Sequence, residues 1–473
     1  MMKKTRQEPL SAEEPGTGPE AIGESVAEQL ALRLYNLSTH PLKVLGNWWT
    51  LRLLDMACAG WSPLPAKVKD RLERSARKRH PNRYLQIALE ARSNNTSARL
   101  PGRTPLRSDE FRSYQPPAPI DPDVRIVAFY LPQYHPFAEN DLWWGKGFTE
   151  WTNVGKALPQ YDGHYQPHCP IHLGYYDLRI PAVMEEQARI AREYGIGGFA
   201  YYFYWFGGKT LMEQPLQAML ANTAVDMPFC LTWANENWTR RWDGADHEIL
   251  IGQDHSQEDS RNLLRHLASY FRDPRYIRIK DCPVLIVYRA DIIPEILKTT
   301  QMWREEAKAL GFDGLFLIAV QTFDLKDTRS LGFDASLEFP PLGFGAPIDT
   351  VGLGGLNPGF CGRVHDYGAV VDQALAQARP DYPLYRSAML SWDNTARKAD
   401  RADIFTHFSI GDYRRWIAAL CADAQDRLTG PSEERLVFVN AWNEWAEGTH
   451  LEPDQRYGFA YLQATYDALT TRE

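Results

Sequence analysis

The chain has 473 residues, too many for one ordinary domain but enough for a barrel of about 250 residues plus an extension. Hydrophobic residues at 44% and charged residues at 24% fit a globular protein, and a formal net charge of −8 gives no support for nucleic-acid binding. Fifteen Trp, 23 Tyr and 20 Phe are costly for a core alone, because each buried indole N–H needs a partner; sugar-binding clefts use such flat rings against pyranose faces.

Residues 1–23 are polar and rich in Glu, Gly and Pro, and are expected to form a disordered tail. Residues 24–93 are expected to form a helical extension. Leu30, Leu34 and Leu37 fall at helical spacing, and Pro41 separates them from Leu42, Leu45, Leu51 and Leu54. Ala66–Arg83 is strongly basic. A solvated helix face is the default reading of such a run, and weak peripheral contact with an anionic membrane is the alternative. Residues 94–123, rich in Pro, Ser and Asn, read as a linker. No apolar stretch follows Lys3 and Lys4, and no run of 18 apolar residues occurs. The expected location is therefore cytoplasmic, with the inner face of the membrane as the surface the basic run would contact. Cys58, Cys169, Cys230, Cys282, Cys361 and Cys421 are scattered, as free thiols in a reducing compartment would be.

From residue 124 the texture changes. Short apolar, β-rich runs at 125–131, 197–204, 228–234, 283–289, 315–321, 335–339, 385–392 and 435–442 alternate with helical patterns. Those patterns fall near 182–194, 211–222, 257–271, 294–310, 366–378, 409–427 and 456–470. Eight strands that are apolar throughout argue for a parallel sheet covered on both faces. That number favours a closed (β/α)8 barrel over residues 124–473.

Barrel active sites gather at the C-terminal ends of the strands. Here those ends carry Tyr134, His135, Trp143, Trp144, Glu150 and Trp151 after the first strand and Tyr204 after the second. Trp233, Asn235, Glu236 and Trp238 follow the third, and Asp393 the seventh. The last strand runs into Trp442-Asn443-Glu444-Trp445-Ala446-Glu447. Glycoside chemistry needs one acid for the leaving oxygen and a second group at the anomeric centre. Two nearby carboxylates push their pKa values apart, so one stays protonated near neutrality. Glu444 and Glu447 are accordingly the candidate catalytic pair, although both could instead cap the next helix or pair with Arg456. The other residues named are candidate substrate contacts, with an ion pair from Glu236 to Arg240 or Arg241 as the structural alternative.

Cofactor signatures are missing. Gly352–Asn357 fails the dinucleotide pattern, no GxxxxGK[ST] or HExxH occurs, and the one Asp-x-Asp lies in the linker. His164 and His168 are four apart, but Gly163 and Pro167 argue against the helix a metal pair would need. Neither a cofactor nor a metal is expected.

The segments AFYLPQYHP (128–136), NDLWWGKGFTEWTNV (140–154), HYQPHCPIHLGYYDL (164–178), YGIGGFAYYFYWF (194–206), WANENWTRRWDG (233–244) and NAWNEWAEGTHLEPD (440–454) resemble the WbsX-type lipopolysaccharide-biosynthesis proteins. That branch is similar to glycoside hydrolase family 99, the endo-α-mannosidases. The resemblance covers residues 124–470 and implies a (β/α)8 barrel with two glutamates three apart at the end of the last strand. It also implies a metal-free, retaining mechanism. Glu444 would deprotonate the sugar's own 2-hydroxyl, which attacks the anomeric carbon to give a 1,2-anhydro intermediate. Glu447 would act as general acid, then base. The expected substrate is an α-linked glycan or lipid-linked oligosaccharide, processed by transfer or hydrolysis in surface polysaccharide assembly. A catalytically silent glycan-binding barrel and a sugar-nucleotide-dependent transferase are the alternatives.

Overall fold

The computed structural model describes residues 107–240 and 245–470. The expected tail, the helical extension with its basic run and the first part of the linker lie outside them. The structure is a parallel barrel flanked by helices. Its strands are β1 (Arg125–Tyr130), β2 (Ile196–Phe206), β3 (Phe229–Trp233), β4 (Cys282–Val287), β5 (Phe316–Val320), β6 (Ala335–Leu337), β7 (Leu384–Tyr385), β8 (Ser387–Met389) and β9 (Leu436–Asn440). Consecutive strands from β1 to β7 pair in order, β9 pairs with β1, and β8 pairs with β9. The expected seventh strand is thus two segments. They part at Arg386, whose Nε lies 3.3 Å from both carboxylate oxygens of Glu338 and whose Nη2 donates to the Ala374 carbonyl.

The strands carry few polar residues because both of their faces are covered: β1 is buried after its first residue and β9 throughout. Inside the ring, Phe129 on β1 meets Phe339 edge-on at 4.8 Å, and also packs on Tyr202 and Phe438.

The helices are α1 (Ala138–Trp144), α2 (Glu150–Lys156), α3 (Pro181–Glu193), α4 (Glu213–Ala221), α5 (Gln257–Phe271), α6 (Ile296–Ala309), α7 (Tyr367–Leu375), α8 (Thr395–Lys398), α9 (Ile410–Arg427) and α10 (Ala460–Thr470). Side chains start several of them. Ser256, Asp366 and Ser409 each accept a hydrogen bond from the backbone N–H three residues on, which satisfies a donor the first helical turn leaves open. The short helices α1, α2 and α8 sit in the loops at the C-terminal end of the barrel and have no counterpart among the expected helices.

Residues 107–123 run along the barrel. Ser108 N–H donates to the Arg456 carbonyl, Arg112 N–H to that of Tyr457, and the Tyr194 and Tyr466 hydroxyls donate to the Gln115 and Ala118 carbonyls. Cys169, Cys230, Cys282, Cys361 and Cys421 are free thiols. No described helix is long and apolar enough to cross a membrane.

Candidate active site

The chain leaves β9 at Asn440 and enters a turn whose backbone is pinned from several sides. The Asn443 side chain accepts from Leu131 N–H at 2.7 Å and donates to the Leu131 carbonyl at 3.0 Å, joining the ends of the first and last strands. The Tyr134 hydroxyl donates to the Asn443 carbonyl and accepts from Trp445 N–H at 3.2 Å. Trp445 stacks on His450 at 3.7 Å, and its indole N–H donates to Glu452 at 2.6 Å. Gly448 takes a φ of +63°, and a Cβ there would lie about 3 Å from the backbone of Asp393. Glycine is required on both counts.

This turn brings Glu444 and Glu447 to one guanidinium. Arg397, on α8, donates from Nη1 to Glu447 Oε1 at 2.5 Å and from Nη2 to Glu444 Oε2 at 3.0 Å. The same Nη2 lies 3.3 Å from Glu150 Oε2 on α2. Side-chain exposure is 0% for Glu150, 5% for Glu444, 16% for Arg397 and 20% for Glu447. Glu447 is therefore the carboxylate most open to a ligand. Three carboxylates share one cation, so at least one is driven to hold a proton. Burial raises the pKa of both Glu444 and Glu447, with Arg397 opposing it. Burial also raises the Tyr202 and Tyr204 phenols, and the charges of Glu444 and Glu447 add to it.

Arg397 bonds Glu447 more closely, and Glu444 is the deeper group.

Tyr204, Trp238 and Trp143 form a half-buried aromatic run, with centroids 5.2 Å and 6.0 Å apart, that begins beside Glu444. Trp144 packs on Phe148. Trp151 is half-buried, donates to the Tyr176 carbonyl and packs against Tyr134 and Trp445. Most of the other candidate contacts are buried. Trp233 packs on Trp303 and His255 in the core, and Trp442 packs on Phe199. Trp445, Asn443 and Tyr134 are buried with their hydrogen bonds spent on the turn. The Asn235 side chain makes two bonds to the Arg289 backbone. Glu236 pairs with Arg289 at 2.8 Å, and the side chains of Arg240 and Arg241, its expected partners, lie outside the described residues. His135 is buried with Phe137, Asp177 and Arg179 as neighbours, and burial lowers its pKa to about 4.

Asp393 belongs to a separate buried cluster behind the turn. Gln160 N–H donates to His164 Nδ1, and His164 Nε2 lies 2.6 Å from the Asp393 carboxylate. Gln166 and Thr395 add donors, and the Asp393 carboxyl is held down at about 2 despite full burial. His168, His450 and Asp454 present donor atoms within 4.8 Å of one another. His450 Nδ1 faces the Glu452 carbonyl and its Nε2 faces His168 Nδ1 at 2.8 Å. This is a chain of ordered protons, and a cation would have to displace the one between the imidazoles.

Sequence reasoning missed Arg397 and Glu452. Arg397 lies four residues after Asp393 in SWDNTAR, and a cation at a strand end with two nearby carboxylate candidates was the available signal. Glu452 lies inside the last motif; it accepts bonds from Trp445, Gln187 and Tyr176, and burial raises its pKa to about 7.

The family described as Glycosyltransferase WbsX matches residues 126–465. Two relatives, both described as uncharacterized protein WxcX and from two strains of Xanthomonas campestris pv. campestris, are each 45% identical over 414 and 416 residues. The match takes 86% of this chain and 59% of each relative, so the chain spans well under two thirds of their length. The GH99 endo-alpha-mannosidase from Bacteroides thetaiotaomicron superposes with a TM-score of 0.46 at 14% identity, over 73% of this chain and 96% of that one. A glycoside hydrolase-like protein gives 0.47 at 14% identity, over 77% and 99%. With its family match running through nearly the whole barrel, from β1 into α10, the chain belongs to the WbsX glycosyltransferase family.

Proposed function

We infer that the chain is a retaining enzyme that processes α-linked, mannoside-like glycans, by transfer or hydrolysis, in the assembly of lipopolysaccharide or another surface polysaccharide. The observation that carries this reading is the convergence of Glu444 and Glu447 on Arg397 at the C-terminal end of the barrel's last strand. In the mechanism implied by the family resemblance, Glu444 takes the proton of the sugar's 2-hydroxyl. That oxygen attacks the anomeric carbon while Glu447 protonates the departing oxygen. Glu447 then removes the proton of an incoming hydroxyl or water, which opens the 1,2-anhydro ring, and Glu444 returns its proton to O2. Two inversions give net retention. Arg397 stabilises whichever carboxylate is ionised, and Glu150 keeps it in place.

The test is turnover of aryl or fluoride α-mannosides, with the anomeric configuration of the first-formed product read by NMR. Retained configuration, and turnover lost in Glu447→Gln with binding kept, support the reading. Inversion overturns the mechanism. Binding without turnover of any glycan makes the chain a binding barrel, and saturable dependence on a nucleotide sugar makes it a conventional transferase.

The partner this function calls for is a glycan carried on lipid at the inner face of the membrane. Lys67, Lys69, Arg71, Arg74, Arg77, Lys78 and Arg79 would bring the chain there, each cation near anionic lipid contributing about 1 kcal/mol. Asp70 and Glu73 and the net charge of −8 oppose it. Flotation with anionic liposomes at low and high salt decides the point. Binding at low salt that is lost on removing residues 1–90 is expected, and no binding at low salt ends the idea.

A further inference from the structure

Glu452 is a buried carboxyl that the proton transfers above do not use. Its Oε1 accepts from Gln187 Nε2 at 2.6 Å, and its Oε2 accepts from the Trp445 indole at 2.6 Å and from the Tyr176 hydroxyl at 2.8 Å. All three donors are neutral, and burial raises the Glu452 pKa to about 7. The neighbours fix the directions of the bonds at Oε2. An indole N–H can only donate. Leu131 orients the Asn443 amide, whose Nδ2 donates to the Tyr176 hydroxyl at 3.2 Å. That hydroxyl therefore points its own proton at Glu452, and any proton on the carboxyl belongs on Oε1.

These bonds bracket Glu444 along the chain. Trp445 reaches Glu452 directly and Asn443 reaches it through Tyr176, while Glu452 N–H donates to the Trp442 carbonyl at 3.2 Å. At Oε1 the partner, Gln187, belongs to α3 and accepts from the Tyr130 hydroxyl of β1 at 2.7 Å, which ties the carboxylate to the barrel wall. Hydrogen bonds to an ionised group are shorter and roughly twice as strong as neutral ones. The anion therefore holds the two residues that flank Glu444 more firmly than a neutral group of the same shape would.

We propose that Glu452 is the positioning residue of the catalytic turn: its carboxylate fixes Trp445 and, through Tyr176, Asn443, and so aims Glu444 at Arg397 and at the sugar. The proposal rests on the reading that Glu444 and Glu447 perform the chemistry. Other titratable groups surround Glu452. They are His450, whose Nδ1 lies 2.9 Å from the Glu452 carbonyl, the phenols of Tyr130, Tyr134 and Tyr176, and His172 and Glu186, which line a small cavity with it. Burial keeps His450 neutral far below its usual range and holds the three phenols above theirs, while Arg189 keeps Glu186 at about 2. A signal from His172 would persist when Glu452 is replaced, which tells the two apart.

Two variants of the full chain test this. Glu452→Gln keeps the shape and one acceptor but removes the charge, and Glu452→Leu removes both acceptors. The first readout is the indole N–H spectrum by NMR, with Trp445→Phe identifying the Trp445 resonance. At pH 8 that proton is expected downfield of its place in Glu452→Gln, and in the wild type alone it should move towards that place as pH falls through about 7. Coincident resonances at pH 8, or the same titration in both proteins, would overturn the proposal.

The second readout is the crystal structure. Glu444 should stay on Arg397 in Glu452→Gln, as at 3.0 Å in the wild type, and come away in Glu452→Leu. An undisplaced Glu444 in the Leu variant overturns the proposal. If that variant does not fold, kinetics of Glu452→Gln decide. On an α-mannoside that the wild type turns over, kcat should fall about tenfold with KM little changed. An unchanged kcat, or a change in KM alone, overturns the proposal. A wild type that turns over no glycoside ends the reading of Glu444 and Glu447, whereas the spectra and crystals still decide what Glu452 holds.

Discussion

Glu150 and Arg397 meet at 3.3 Å in a pocket where the carboxylate has no exposed surface. They come from loops 247 residues apart, yet Glu150 gives the guanidinium a partner that does not depend on Glu444 or Glu447. Replacing either glutamate of that pair by glutamine therefore leaves Arg397 anchored.

Glu444→Gln and Glu447→Gln are each expected to lower the chemical step by about 10²–10⁴-fold, the usual contribution of a positioned acid or base, with little change in Tm. Single-turnover kinetics alongside thermal melts separate the effects. A large fall in Tm in both variants would assign the pair to the scaffold.

Arg397→Gln leaves three buried carboxylates without their cation. Removing one partner of a buried ionic cluster costs about 3–5 kcal/mol, so a marked loss of Tm is expected. Arg397 lowers the pKa of both glutamates, so its removal raises them. The acid limb of kcat/KM, where the base must lose its proton, then moves to higher pH. Arg397→Lys, which keeps the charge, should restore part of the shift. An unmoved acid limb would show that the arginine is structural only.

Asp393 gives a stability prediction with a definite sign. Its carboxyl is held at about 2, below the ordinary aspartate value, chiefly by His164 against the cost of burial. A depressed carboxylate stabilises the fold above its unfolded pKa of about 3.9, and the effect fades as pH falls towards 2. The full effect is about 2–3 kcal/mol. Asp393→Asn should lower stability by that order at pH 7 and converge with the wild type near pH 2. Denaturant melts at both pH values check this, and a gap that does not close at low pH would refute the linkage.

The barrel unit comprises Arg103–Glu473. A chain beginning at residue 103 is expected to fold and keep activity. One beginning at 124 loses the contacts of Ser108, Arg112, Gln115 and Ala118 with the barrel and should melt at lower temperature. Equal Tm for the two would mean that residues 107–123 add nothing to the fold.

The strands could be read from the sequence because burial on both faces leaves them no polar period to confuse, as in RIVAFY and LVFVN. The helices α1 and α2 could not, being seven residues each inside a loop rich in aromatic and polar residues. The flat rings of Trp442 and Trp445 read as sugar platforms because they flank the glutamates. The turn after β9 folds back so tightly that His450 and Phe199 cover them instead. Arg397 shows what local patterns omit. Its importance lies in meeting Glu150, Glu444 and Glu447, and none of those contacts is closer than 47 residues in sequence.

The Asn443 amide grips the backbone of Leu131 across 312 residues. The turn bearing both glutamates is therefore fastened to the opening strand of the barrel by its closing one. A ribosome must deliver almost the whole domain before that seam can be sewn, so a nascent chain stalled short of β9 has walls and helices but not the turn that holds Glu444 and Glu447.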